Sequence, residues 1–141
     1  MSSAVTMTRR SALHQVFLGD VSTPSLVRRG LAAWLEEHGV AAGHRDDLVL
    51  AVNEAVTNVV DHAYGGEDRA GHLEIDVELS DRPDGQRWVT AAVTDYGVWR
   101  QVPSVNGFRG RGLQMISACT DWRTIEPRAI GTKVTMAHRV G

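Results

Sequence analysis

Asn53-Glu54-Ala55-Val56-Thr57-Asn58 lies in the middle of a helical pattern. Leu48, Ala51, Val52, Ala55 and Val59 recur at the spacing of one helix face, which predicts a helix from about Asp46-Asp47 to the Gly65-Gly66 pair. Glu54, Asn58 and His62 step by four, so these three polar side chains share another face of the same helix. A core stripe beside an aligned Glu-Asn-His row fits a helix that packs on a sheet and borders a pocket. Glu54 is a general-base candidate, although an ordinary solvated acid would read the same way. Asn58 says more, because Asn is a mediocre helix former and its amide oxygen is a hard ligand suited to Mg²⁺.

Upstream, Leu13 to Leu18 reads as a first strand, and Thr23-Pro24 as a helix start in which Thr caps free N–H groups and Pro loses no bond. Val27, Leu31, Trp34 and Leu35 follow at helical spacing, and Gly39 is the stop. Downstream, Leu73, Ile75, Val77 and Leu79 alternate with Glu74, Asp76 and Glu78, the pattern of a strand with one wet face. Val89, Ala91 and Val93 share one face of the next strand, and period two carries that face to Asp95. An aspartate on the apolar side of a strand is costly unless something hydrogen-bonds to it, which makes Asp95 a better ligand candidate than any exposed acid.

Residues 96–110 hold Gly97, Pro103, Gly107 and Gly110 without periodicity and read as a loop of functional length. Leu113, Met115, Ile116 and Cys119 suggest a helix starting right after Gly110-Arg111-Gly112, a turn whose N–H groups can approach phosphates. Arg109 and Arg111 are placed to contact a phosphate, or simply to be solvated. Trp122 to Ile125 and Lys133 to His138 read as a closing hairpin, with Gly131-Thr132 at the entry to its second strand. The order is that of an α/β (α+β) two-layer sandwich, with helices on one face of a mixed, mainly antiparallel sheet.

Bulk properties narrow the function classes. The chain has 141 residues and a net charge of −2, with no long-range pull toward nucleic acid or anionic membrane. Lys133 is the one lysine, so a G-x-x-x-x-G-K-[ST] phosphate loop is excluded. Cys119 is the one cysteine, so no internal disulfide forms, and a buried structural thiol in a reducing cytoplasm is expected. No apolar run reaches the length of a membrane span, and the six histidines show no metal-binding spacing along the chain. Residues 1–11 are expected to be a disordered tail and 12–141 a single domain.

Taken in order, Glu54 to Asn58, Asp95-Tyr96-Gly97, Gly110-Arg111-Gly112-Leu113 and Gly131-Thr132 resemble the nucleotide site of the histidine-kinase-like ATPase superfamily. Together with His62-Ala63-Tyr64 and Val98-Trp99-Arg100, they look most like the small anti-sigma-factor serine/threonine kinases of actinobacterial regulators. The resemblance runs from about Leu13 to Val140. It implies a histidine-kinase-like ATPase fold, ATP and Mg²⁺ as cofactors, Glu54 as catalytic base and Asn58 as the Mg²⁺ ligand. It further implies that Asp95 accepts the adenine amino group and that Gly97 allows close approach of the base. Gly110 and Gly112, with Arg109, Arg111 and Leu113, would line the phosphates, Thr132 would support the adenine pocket, and His62 would lie near the phosphates. In one departure, Val98-Trp99 follows Gly97 where the family pattern continues D-x-G-x-G.

The implied partners are a sigma factor, which the protein sequesters, and a small antagonist protein, which it phosphorylates. Neither nucleic acid nor membrane is expected to bind directly, and a homodimer is left open. Two other readings remain at this point: a nucleotide-binding interaction module without significant kinase activity, and an ATPase subunit of a larger complex.

Overall fold

The computed structural model describes residues 9–63, 71–97, 116 and 118–141. Strand β1 (Arg9–Leu18) leads into α1 (Thr23–Glu37) and α2 (Ala42–Asn58), and α2 continues as a π-helical turn over Val59–Ala63. Then come β2 (His72–Asp81), β3 (Arg87–Asp95), β4 (Trp122–Pro127) and β5 (Thr132–Arg139). The sheet order is β1-β2-β3-β5-β4, and every described pairing is antiparallel, so among the described residues the sheet is antiparallel rather than mixed.

The alternation in β2 works as read. Leu73, Ile75, Val77 and Leu79 are buried under the helices, while Glu74, Asp76 and Glu78 stand on the other face. On β3 the buried face runs through Val89, Ala91 and Val93 to Asp95. Against this face pack Val27, Leu31 and Leu35 of α1 and Leu48, Ala51, Val52 and Ala55 of α2, one continuous core. Leu35 and Leu48 are completely enclosed, and truncating such a leucine to alanine costs about 2–5 kcal/mol.

Several boundaries differ from expectation for local reasons. β1 begins at Arg9, inside the stretch 1–11 expected as a tail, because backbone pairing of Arg9 with Asp81 and of Arg10 with Ser80 extends the strand. Residues 1–8 lie outside the described residues. α2 begins at Ala42, earlier than Asp46, and Ala41 at its N-cap makes no side-chain capping bond. Thr23 does not cap α1 either; Ser22 holds the N-cap position, and the Thr23 hydroxyl donates to the Leu18 carbonyl. Pro24 does occupy the first turn. Gly39, at φ 76°, reverses the chain after α1. The reversal is held by Arg87, whose guanidinium donates to the His38 carbonyl at 2.6 Å and the Asp81 carboxylate at 2.7 Å.

Candidate nucleotide-binding site

Two antiparallel strands deliver one half of the site. Thr94 of β3 pairs with Lys133 of β5, and beyond that pair β3 ends at Asp95 while β5 begins at Thr132. Asp95 is 1% exposed, and its Oδ1 accepts a hydrogen bond from the Gly97 N–H at 3.0 Å. Gly97 is itself buried.

Gly131 closes this end. A Cβ on it would meet the Asp95 carbonyl oxygen at 1.8 Å and the Tyr96 Cα at 2.8 Å, and its φ is 83°. Both space and backbone therefore demand glycine, and the start of β5 lies directly on the Asp95-Tyr96 backbone. Taken by itself, Gly131 reads in the sequence as a strand-entry turn; its place in the site came from the motif resemblance.

Tyr96 was not singled out as a site residue, yet it anchors the same strand end. Its hydroxyl donates to Glu74 Oε1 at 2.7 Å, its ring lies 5.0 Å from that of His72, and the Arg128 guanidinium sits 5.6 Å from its centroid. The Glu74 hydrogen bond, with burial behind it, pushes the Tyr96 phenol above its ordinary pKa. Period two across β2 and β3 was the available signal, since Glu74 pairs with Thr94, two residues before Tyr96.

Helix α2 carries the other half. Glu54 and Asn58 are half-buried one turn apart, while Ala55, Val56 and Val59 are buried in the core. At Val59 the helix widens into the π-helical turn that includes the backbone of His62. The four-residue step therefore holds from Glu54 to Asn58 and passes through a wider turn before His62. Such π turns are frequent at functional sites. Cys119 is buried, and its thiol pKa is raised first by that burial, then by the negative charges of Asp47 and Glu54. A thiol held protonated in this way is inert. Arg109, Gly110, Arg111, Gly112 and Leu113, expected at the phosphates, lie outside the described residues.

The groups fit a nucleotide and a hard cation. Asp95 offers a buried acceptor beside a glycine whose side-chain space is already taken by backbone. Glu54 and Asn58 offer oxygen donors of the kind Mg²⁺ prefers.

Comparison with known proteins identifies the domain. Residues 19–138 match the family described as the Histidine kinase-like ATPase domain. The chain belongs to that family. Among solved structures it is similar to the RsbU and RsbW domains of Rv1364c from Mycobacterium tuberculosis, with a TM-score of 0.69 and 31% identity over 92% of this chain and 32% of that one. This chain thus spans about a third of the length of that solved chain. A histidine kinase domain from the Erythrobacter litoralis EL346 blue-light activated histidine kinase overlays with a TM-score of 0.48 and 16% identity, over 83% of this chain and 60% of that one. No described helix of this family member is long and apolar enough to cross a membrane.

Proposed function

We propose that this protein is an ATP-dependent serine/threonine kinase that sequesters a sigma factor and phosphorylates a small antagonist protein. The observation that carries the reading is the half-buried Glu54–Asn58 pair on α2, within a family of ATPase domains and in a chain 31% identical to an RsbU/RsbW-domain protein. Family membership supports nucleotide binding; the protein acceptor and the sigma factor are our inference from the motifs and from that likeness.

In this reading Asp95 accepts a hydrogen bond from the adenine amino group, Gly97 lets backbone approach the base, and Gly131 lets β5 close on the Asp95-Tyr96 backbone. Thr132 supports the same pocket. Glu54 takes the proton from the acceptor hydroxyl as its oxygen bonds to the γ-phosphorus, while the bond from that phosphorus to the β–γ bridging oxygen breaks and ADP leaves. Asn58 would hold Mg²⁺, which when bound neutralises phosphate charge. Gly110 and Gly112, with Arg109, Arg111, Leu113 and His62, are assigned to the phosphates from the motif resemblance. The phosphate adds about −1.5 to −2 charge to the antagonist and weakens its docking, which frees the kinase for the sigma factor.

Incubation with radiolabelled ATP and candidate antagonists tests the proposal. Label on a Ser or Thr of an antagonist, and sigma-factor capture that the unphosphorylated antagonist reverses, are expected. Phosphate release with no labelled protein would instead indicate an ATPase. Tight partner capture with neither transfer nor hydrolysis would indicate an interaction module.

A further inference from the structure

At the opposite end of α2 from Asn58, three metal-ligating side chains converge. His44 and Asp47 lie three residues apart on the first turns of α2, and His138 reaches them from β5. His44 Nδ1 stands 3.1 Å from His138 Nε2, and Asp47 Oδ2 stands 3.8 Å from that same nitrogen. One ligand atom from each residue lies within 4.8 Å of the others. Donors about 2.0–2.1 Å from a tetrahedral zinc ion are roughly 3.3 Å apart, so these spacings need little adjustment.

The far side of His138 adds an independent observation. Its side chain is 12% exposed, and Nδ1 is hidden from solvent without a hydrogen-bond partner. Asp121 Oδ2 lies 3.2 Å from that nitrogen, within ion-pair range but off the line a hydrogen bond requires, and accepts the Arg139 N–H at 2.7 Å. A carboxylate behind a histidine, on the nitrogen turned away from the ligands, is the usual support of a metal-bound imidazole.

We propose that His44, Asp47 and His138 bind a divalent transition metal of the zinc class, with Asp121 orienting His138 and the fourth position left to water. Two imidazoles and one carboxylate favour zinc over magnesium or calcium, which prefer all-oxygen shells. This site is separate from the nucleotide site. His44 precedes Glu54 by ten residues, about 15 Å along the helix. The metal would pin the start of α2 to β5, fixing from its far end the helix that carries Glu54 and Asn58. The other histidine–carboxylate group, His14 with Glu74 and Asp76, lies on the exposed face of β1 and β2 with His14 already paired to Asp76 at 2.5 Å, and serves as the control.

The test uses the full chain, free of any affinity tag, stripped with chelator and without nucleotide. Titration calorimetry with zinc chloride should give one ion per chain. Free zinc at a hundred times its Kd should raise the melting temperature by roughly 5–10 °C. Cobalt(II) should show the visible absorption of a four-coordinate ion. Because His138 is largely enclosed, His44→Gln and Asp47→Asn carry the mutational test; each should weaken zinc at least tenfold while melting normally without metal, and His14→Gln should leave zinc affinity unchanged. Absence of zinc binding in the wild type would overturn the proposal. So would binding undiminished in both His44→Gln and Asp47→Asn, which would make the histidines a plain hydrogen-bonded pair.

Discussion

The α-carbon of Gly131 lies so close to the Asp95 carbonyl that a methyl group placed there would sit 1.8 Å from its oxygen. The glycine of the last motif is thus the floor on which the aspartate of the second motif rests. Gly131→Ala should push β5 off the end of β3 and also strain a backbone at φ 83°. We expect a loss of about 1–3 kcal/mol or more in urea denaturation, and weaker binding of fluorescent ATP. Gly43→Ala, with nothing within 4 Å of the added carbon and a helical backbone, should be neutral or gain up to about 1 kcal/mol.

Glu54→Gln should keep ATP and lose phosphoryl transfer. The substitution preserves size, removes the base and leaves Asp95 and Gly131 untouched. Positioned bases contribute about 10²–10⁴-fold, so single-turnover transfer should fall by that factor while nucleotide affinity holds. Near wild-type turnover in Glu54→Gln would remove the catalytic assignment.

Asn58→Ala should abolish most of the Mg²⁺ dependence of ATP binding with little effect on folding, since Asn58 is half-buried at the end of α2 rather than in the core. Mg²⁺ keeps most of its shell as water and phosphate oxygens, so losing a protein ligand matters. Calorimetry with ATP, with and without Mg²⁺, measures it. Equal Mg-ATP affinity in mutant and wild type would return Asn58 to the role of a helix amide.

The His14–Asp76 pair across β1 and β2 should make stability depend on pH. The hydrogen bond that His14 donates to Asp76, with the charge of that carboxylate, raises the His14 imidazole above its ordinary 6.5. A folded pKa above the unfolded one gives stability that is fully present below about pH 6.5 and lost as pH rises through the folded value. The urea midpoint of the wild type, relative to His14→Gln, should therefore fall from about pH 6 to pH 9. The difference will be small because the pair is exposed. A constant difference across that range would show that the pair contributes nothing.

Much of the fold could be read from periodicity because burial imposes it residue by residue. The stripe of Leu48, Ala51, Val52, Ala55 and Val59 and the alternation through Leu73 to Leu79 are all buried as expected. Asp95 followed from the same rule, being the next inward position after Val93. What could not be read depends on neighbours remote in sequence. The Arg9 end of β1 is held by backbone pairing to β2, which leaves no apolar signature. Gly131 needs to be glycine because of Asp95, and the His44–His138 contact joins residues 94 apart, so neither appears as a spacing. The π-helical turn after Asn58 has no local sequence mark.

The account stands or falls on Asp95 as the group that reads adenine. A buried carboxylate that accepts from the adenine amino group faces a carbonyl acceptor when guanine enters, and both are then left unpaired. Sites of this kind discriminate by about 10⁴-fold. The direct measurement is fluorescent-nucleotide competition by ATP and GTP on wild type, Asp95→Asn and Asp95→Ala, with melting curves on the same samples. We predict that the wild type binds ATP and ignores GTP, that Asp95→Asn narrows the gap, and that folded Asp95→Ala loses about 1.5–3 kcal/mol of ATP affinity. The opposing result is a folded Asp95→Ala that melts earlier but keeps wild-type affinity and preference for ATP. Asp95 would then serve the structure, as in the bond it accepts from the Gly97 N–H, and the nucleotide site would lie elsewhere.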